Sequence, residues 1–257
     1  MAVTAERREH EISTGARPVG ATNEATAAAN VQQMFDAIAP RYDMLNHLLS
    51  FGLDGWWWAR TARSFRDVLR RPEAVVLDLC CGTGDMSLAL MKHRPTDGTE
   101  APMLAVDFSH EMLVRGREKF APHNIVAIEA DAMHLPLAEN SVDLITSAFG
   151  FRNLSNYDEG LRELFRVLRP GGQIGILDCN QPEGVVGAVY DLYFKKILPK
   201  VGGMLSDPGA YKYLPASVER FPRPKRMLEM IRAAGYKDAR WTGYTFGTAG
   251  LYRATKP

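Results

Sequence analysis

The sequence predicts an α/β fold: a seven-stranded, mostly parallel sheet with helices on both faces and an antiparallel C-terminal hairpin. Three observations predict it. Between residues 74 and 180, short apolar runs alternate with segments of helical period, the rhythm of parallel strands joined by helical crossovers. A glycine bend, Gly82-Thr83-Gly84, joins the first apolar run to the helix after it. A last helix is then followed by two strand-like runs around Tyr244–Gly247, which read as a hairpin.

Residues 1 to about 25 are polar, rich in small residues and aperiodic, the composition of a disordered tail. One domain is expected over 26–257. It opens with helices (about 26–71) whose apolar residues keep helical spacing and break at Pro40 and Gly52. "AVVLDLCC" (74–81) is the first strand and "GDMSLALMKH" the helix after it. "APMLAVDFS" (101–109) is the second, and "HEMLVRGREKF" a helix with Ser109 as its N-cap. "NIVAIEAD" and "SVDLITSAF" are the third and fourth. "YDEGLRELFRVLRPGG" reads as a helix ended by Pro170-Gly171-Gly172, and "QIGILDCN" (173–180) as the fifth strand. An insertion (about 182–222) interrupts the rhythm before the last helix and the hairpin.

Composition excludes several classes. A formal net charge of +1 gives no bulk field to hold nucleic acid. The three cysteines, Cys80, Cys81 and Cys179, form neither a disulfide ladder nor a metal-ligand cluster, so no metal is expected and a reducing, cytoplasmic setting fits. The N-terminal stretch carries charges where a secretory signal needs an apolar core. No apolar run approaches the ~18 residues of a membrane span.

The bend narrows the ligand. Two glycines let a ligand approach the backbone, and a helix N-terminus lies just beyond. A dinucleotide fingerprint needs a third glycine where this chain has Ser87. The helix begins with Asp85, an acid where a pyrophosphate would sit. An acid there suits a ligand with positive charge, such as the sulfonium and α-ammonium of S-adenosyl-L-methionine. The expected cofactor contacts at this end are Asp78, Gly82, Thr83 and Gly84. The second strand ends at Asp107, roughly 20 residues past the bend, where a carboxylate accepts from ribose hydroxyls, as it also does in nicotinamide enzymes. The third ends in "ADAMHLP". There Asp131 is placed to accept from an adenine amino group, the Ala132 amide to donate to the ring, and Met133 to lie against its face. Each alone has a structural alternative: Asp107 as a helix cap, Met133 as core. Their succession on the carboxyl ends of neighbouring strands is the signal, because open α/β sheets bind ligands there.

"VLDLCCGTGD", "AVDFSHEML", "EADAMHLPL" and "FRVLRPGGQI" resemble the successive motifs of S-adenosylmethionine-dependent methyltransferases with a Rossmann-like seven-stranded sheet. "MFDAIAPRYDMLNHLLSFGLDGWWW", "AFGFRNLSNYDEGLRELFRVLRPGG" and the ending "TFGTAGLYRATK" are similar to the C-methyltransferases of menaquinone and ubiquinone biosynthesis. The resemblance runs from about residue 30 to the C-terminus. It implies methylation of a ring carbon of a polyprenylated quinol, with cofactor contacts at Thr83, Asp107, Asp131 and Ala132. Position 148 is Ala where some relatives have Ser, which leaves a backbone contact to the methionine end.

Against that background, "SAFGFRNLSN" (147–156) places a fixed cation and an amide at the mouth of an apolar strand. A neutral aromatic carbon is a poor nucleophile, whereas ionising an adjacent hydroxyl pushes charge onto it. Arg152 and Asn153 suit the resulting oxyanion. Arginine is a poor base, its pKa being above roughly 12, so proton transfer falls to solvent or a neighbour. Tyr42 is the candidate neighbour, and His47 a weaker one that reads as structural. The alternative is that Arg152 is an ordinary loop ion pair with Asp158 or Glu159.

Trp56, Trp57 and Trp58 are consecutive and cannot all face one narrow helix stripe. They read as core, or as an apolar patch for a prenyl tail or a membrane interface. The insertion sets Tyr190, Tyr193, Phe194, Ile197 and Leu198 beside Lys195, Lys196 and Lys200, an amphipathic, basic pattern. The expected partners are a polyprenylated quinol and, transiently, the membrane surface, making the protein cytoplasmic and peripherally membrane-associated. A homo-oligomer interface or a simple active-site cover is the alternative for the insertion.

Overall fold

The computed structural model describes residues 14–98, 100–182, 184, 187 and 208–257. Packed chain begins earlier than periodicity suggests. The Ala16 N–H donates to the Leu154 carbonyl at 2.7 Å, and Ala16 is buried. A Cβ at Gly15 would fall 2.0 Å from the Ser155 carbonyl, so only glycine passes there. Within the expected tail, residues 14–17 are therefore held against residues 154–158 by polar and backbone contacts, which leave no hydrophobic period to read; residues 1–13 lie outside the described residues.

Asn23 starts helix α1 (Glu24–Ile38) with a capping box: its side chain accepts from the Thr26 N–H, and the Thr26 hydroxyl accepts from the Asn23 N–H. Pro40 sits in a 3₁₀ turn (Ala39–Arg41) that leads into α2 (Tyr42–Leu49). Left-handed Gly52 (φ +73°) turns the chain into α3 (Asp54–Arg63) and α4 (Arg66–Leu69).

The sheet then builds as β1 (Val76–Leu79), β2 (Met103–Asp107), β3 (Ile125–Glu129), β4 (Val142–Ala148), β5 (Leu168–Cys179), β6 (Lys237–Tyr244) and β7 (Ala249–Thr255). Their order is β3-β2-β1-β4-β5-β7-β6. Strands β1 to β5 pair in parallel, and β7 runs antiparallel between β5 and β6. The crossovers and final helices are α5 (Asp85–Met91), α6 (His110–Phe120), α7 (Tyr157–Val167), α8 (Pro208–Arg220) and α9 (Pro224–Ala233). The expected seven-stranded architecture is the one observed. Side chains of β1 alternate between the two faces: Leu77 and Leu79 join the core packed against α7 and α9, while Val76 joins the core beneath α3 and α5. Because β1 lies between β2 and β4, the strand order reverses there, and a crevice opens at the carboxyl ends of these strands.

One boundary differs. Helix α7 stops at Val167, and Leu168 is already extended (ψ 139°) and paired with Val142. "RPGG" is a bulge inside β5 rather than a helix end, since the register resumes at Leu144 and Gln173. Pro170 disfavours a helical Arg169, and Gly171 takes the left-handed turn (φ +79°) that closes the bulge.

Most of the insertion, including Tyr190, Tyr193, Phe194, Ile197, Leu198 and the three lysines, lies outside the described residues. Its C-terminal part is helix α8.

Candidate active site

The bend after β1 is left-handed at Cys80 (φ +53°), Gly82 (φ +55°) and Gly84 (φ +93°). A Cβ on Gly84 would sit 2.1 Å from the Phe120 ring, so the glycine lets α6 close on the bend. At the end of β2, Asp107 ties the bend down: Oδ2 accepts from the Gly82 N–H at 2.8 Å, and Oδ1 from the Ser109 N–H at 2.9 Å. Burial pushes its carboxyl up to about 6. Ser109 caps α6 as expected, accepting from the Met112 N–H.

A cavity of about 50 Å³ opens at this rim, walled by Gly82, Asp107, Asp131, Ala132, Met133 and Asn153. Asp131 accepts from the Met133 N–H at 2.9 Å, which shapes the loop after β3. The N-terminal helices form the cover. Phe35 and Tyr42 line the cavity and meet edge to face at 6.0 Å. Gln32 donates to the Phe108 carbonyl at 2.6 Å, and Asp36 accepts from the Ser109 hydroxyl. Thr83 and Ala148 border a narrower cleft with Tyr42, Cys80 and Phe149, three residues that also line the first cavity.

Two expectations at the bend change. Asp78 does not reach the cavity. It is fully buried and accepts from the hydroxyls of Ser87 at 2.6 Å and Thr146 at 3.1 Å, so it holds α5 to the sheet. Burial raises its carboxyl to about 7. Asp85 is not a bare acid awaiting a cationic ligand. Lys119 Nζ pairs with it at 2.7 Å and with Asp43 at 2.8 Å, and donates to Thr83 Oγ1 at 3.1 Å. Burial works against the lysine's charge, and the two carboxylates outweigh it, so its pKa rises. Asp43 also accepts from the Thr83 hydroxyl. This cluster fastens α2 over the glycine bend, and nothing in the local sequence around Lys119 signals it.

Beyond Phe149 lies a larger cavity of about 200 Å³ whose exposed surface is mainly apolar, walled by Leu49, Trp57, Trp58, Phe149 and Leu214, with Arg152, Asp54 and Asn46 among its polar lining residues. Arg152 is buried. Its acid partner is neither Asp158 nor Glu159 but Asp178 of β5. Nη1 donates to Asp178 Oδ1 at 2.8 Å and to the Phe149 carbonyl, while the Arg152 N–H donates to Oδ2 at 3.0 Å. The strand fixes the carboxylate where a loop acid would leave it in water; Asp158 instead accepts from the Thr14 hydroxyl. Burial opposes the guanidinium charge, and Asp178 more than offsets this, so the cation is held. Its Nε is buried with no hydrogen-bond partner among the described residues. Arg152 and Asn153, expected to act together, diverge. The 3₁₀ turn Phe151–Asn153 sends Arg152 to the large cavity and Asn153 to the rim cavity. Asn153 Oδ1 accepts from the Tyr213 hydroxyl at 3.0 Å, a contact from α8 that the sequence does not signal.

Tyr42 borders the rim cavity, the cleft and a small pocket shared with Arg152 and Tyr213. Burial pushes its phenol up to about 12. It therefore stays protonated near neutrality, a donor at the wall of these spaces. We predict that Tyr42→Phe lowers turnover by less than about tenfold, the scale of one neutral hydrogen bond. We also predict that it leaves the pH–rate profile unmoved, and steady-state kinetics from pH 6 to 9 checks both. His47 is structural as read, its Nδ1 3.2 Å from Asp54 Oδ1. The three tryptophans diverge. Trp57 is buried and donates to Thr245 Oγ1 at 2.8 Å, Trp58 lines the large cavity, and Trp56 is half exposed.

Residues 22–256 match the model of the ubiE/COQ5 methyltransferase family. A demethylmenaquinone methyltransferase from Deinococcus radiodurans is 42% identical over 93% of this chain and 97% of its own. A ubiquinone/menaquinone biosynthesis C-methyltransferase UbiE from Geotalea daltonii is 38% identical over 88% of this chain and 96% of its own. Among solved structures, a SAM-dependent methyltransferase from Aquifex aeolicus aligns with a TM-score of 0.56 at 20% identity, over 77% of this chain and 89% of that one, a likeness of fold. The family match runs unbroken through the cover helices, the glycine bend, the Arg152 turn and the terminal hairpin; on that span the chain belongs to the ubiE/COQ5 methyltransferase family.

Proposed function

We propose that this methyltransferase places a methyl group from S-adenosyl-L-methionine on a ring carbon of a polyprenylated quinol, in menaquinone or ubiquinone formation. The rim cavity fits the nucleoside end of the donor: Asp131 and the Ala132 amide for adenine, Met133 for its face and Asp107 for the ribose. The cleft by Thr83 and Ala148 fits the methionine end. When bound, the donor supplies an electrophilic methyl, and the protein's part is to align an acceptor behind it.

The observation that carries the acceptor assignment is Arg152. It is a cation held by Asp178 at the wall of a mainly apolar cavity, just past Phe149, and its buried Nε has no hydrogen-bond partner among the described residues. A quinol oxygen in that cavity would lie beside a charged donor. The guanidinium stabilises the oxyanion, whose charge spreads to the neighbouring ring carbon. The hydroxyl proton would pass to water as the oxyanion forms; the ring carbon would take the methyl as the methyl's bond to sulfur breaks and the thioether leaves; the ring C–H proton would then be lost to water and the oxygen reprotonated, one proton being released in all. Apolar walls suit the ring and the first prenyl units.

Among the described residues, no helix is long and apolar enough to cross a membrane. A prenyl tail is worth about 0.8 kcal/mol per buried CH₂, which keeps the acceptor in the bilayer, so the enzyme visits the membrane to reach it. The test is purified protein with labelled S-adenosyl-L-methionine against demethylmenaquinol and a methoxy-benzoquinol, after calorimetric titration of the donor. Donor binding with methylation of one quinol is expected. Donor binding with neither quinol methylated overturns the acceptor, and no binding heat overturns the donor site.

A further inference from the structure

Around the mouth of the large cavity, side chains that ordinarily pack inward face water. Trp56 is 48% and Phe246 85% exposed, and exposed Phe51 and Leu53 line the cavity itself. Trp56 meets Tyr244 at 5.7 Å, and Trp57 is bonded to Thr245, so α3 and the 244–248 turn form one border of that mouth. Thr245, Phe246 and Gly247 are all left-handed, with φ of +43°, +56° and +87°. A bulky phenylalanine there is strained, and at this exposure the folded chain gains little from its ring. The backbone thus holds an aromatic outward at a cost to the fold.

The outward face of α3 continues the pattern. Trp56, Arg60 and Arg63 recur at i, i+4 and i+7 on one helical stripe, all exposed, with Gly55 and Ala59 beside them. Arg60 lies over the rings of Trp56 and Tyr244, at 5.2 and 5.0 Å. The helix's one acid, Asp54, is buried; the nearest exposed carboxylate along the chain, Asp67, is on α4, 3.7 Å from Arg66. Aromatics beside arginines, with no exposed acid on the helix, are the complement of a bilayer interface carrying anionic headgroups.

We infer that the outward face of α3 and the Phe246 turn dock the mouth of the large cavity onto an anionic lipid surface, so that the acceptor ring enters without leaving the bilayer. This rests on the lipid acceptor assigned above. It concerns the described residues and does not depend on the insertion.

Co-sedimentation of the full chain with phosphatidylcholine vesicles, with and without phosphatidylglycerol and with no quinol, tests it. The wild type is expected to sediment with the anionic vesicles and to be released by salt. Phe246→Asn lowers vesicle partition about tenfold, in keeping with the loss of one buried aromatic. Its melting temperature stays level or rises, because asparagine tolerates the left-handed region. Its turnover of a soluble short-tailed quinol is unchanged, while turnover of vesicle-embedded quinol falls. A wild type that stays in the supernatant overturns the inference, as does a variant that sediments like the wild type. So does a wild-type dimer that the variant dissolves with no vesicle binding by either, which would assign the surface to a second copy. Methylation of the soluble quinol without sedimentation overturns docking alone; sedimentation with no quinol methylated overturns the acceptor and leaves docking standing.

Discussion

Arg152→Ala is expected to lower kcat by on the order of 10²–10³-fold, the range for removing one preorganised donor from a developing oxyanion. Affinity for S-adenosyl-L-methionine should stay within a fewfold, because Arg152 does not line the rim cavity. The fold will not be indifferent. Asp178 is fully buried and would lose the one side-chain cation it has among the described residues, and breaking such a pair from one side costs about 3–5 kcal/mol. A bare loss of activity would therefore be ambiguous. Adding Asp178→Asn removes the stranded charge, although its amide nitrogen then faces one of the two backbone N–H groups, of Arg152 and Cys179, from which the carboxylate oxygens accept. The double variant should regain part of the melting temperature and none of the turnover. Arg152→Lys should fall between, since an ammonium restores the charge but not the fork of donors. Calorimetric donor binding, thermal melts and single-turnover rates on these variants separate stability from chemistry. Wild-type turnover in either alanine-bearing protein would remove Arg152 from the reaction.

The strands were legible because their apolar runs are short, β-branched and bounded by glycine or acid, and the bend because only glycine serves a left-handed turn pressed against Phe120. The chemistry at the mouth was half legible. Arg152 is conspicuous, a cation after an apolar strand, but the local sequence offers the nearby acids Asp158 and Glu159 as partners. Asp178 lies 26 positions away, inside "ILDCN", where one carboxylate in an apolar run reads as a strand end. The usable signal was the topology: β5 lies beside β4, so an acid at the end of one strand faces the loop leaving the other. Lys119 was less visible still, since its partners Asp43, Thr83 and Asp85 come from two other helices and the bend. The divergence of Arg152 and Asn153 follows from the 3₁₀ geometry of three residues, which periodicity does not resolve.

The pH dependence of stability should run against the usual sense for carboxylates. Asp78 and Asp107 have folded values of about 7 and about 6, burial being the leading cause in each and the neighbouring Asp107 adding to the rise at Asp78. In the unfolded chain an aspartate titrates near ~3.9. Between those values the folded state binds more protons than the unfolded one, so stability falls as pH rises. The contribution is full below about pH 4 and is lost progressively up to about pH 7. For Asp78 alone, about three pH units correspond to roughly 4 kcal/mol. Without ligand, the protein should melt higher near pH 5 than near pH 8. Asp78→Asn should remove most of that slope and stabilise the protein at pH 8. Its amide can accept from one hydroxyl and donate to the other, because Ser87 and Thr146 can each reverse roles. Asp107→Asn should not be tolerated in the same way. Both oxygens of Asp107 accept from backbone N–H groups, which cannot reverse, so an amide nitrogen would face a donor. The two aspartates thus share a titration but not a role: Asp78 faces hydroxyls that can reverse, while Asp107 presents two acceptor oxygens to backbone N–H groups, with lone pairs left for ribose hydroxyls. Melting curves from pH 5 to 8 on the wild type and Asp78→Asn decide the point, and equal slopes in the two proteins would show that Asp78 is ionised throughout.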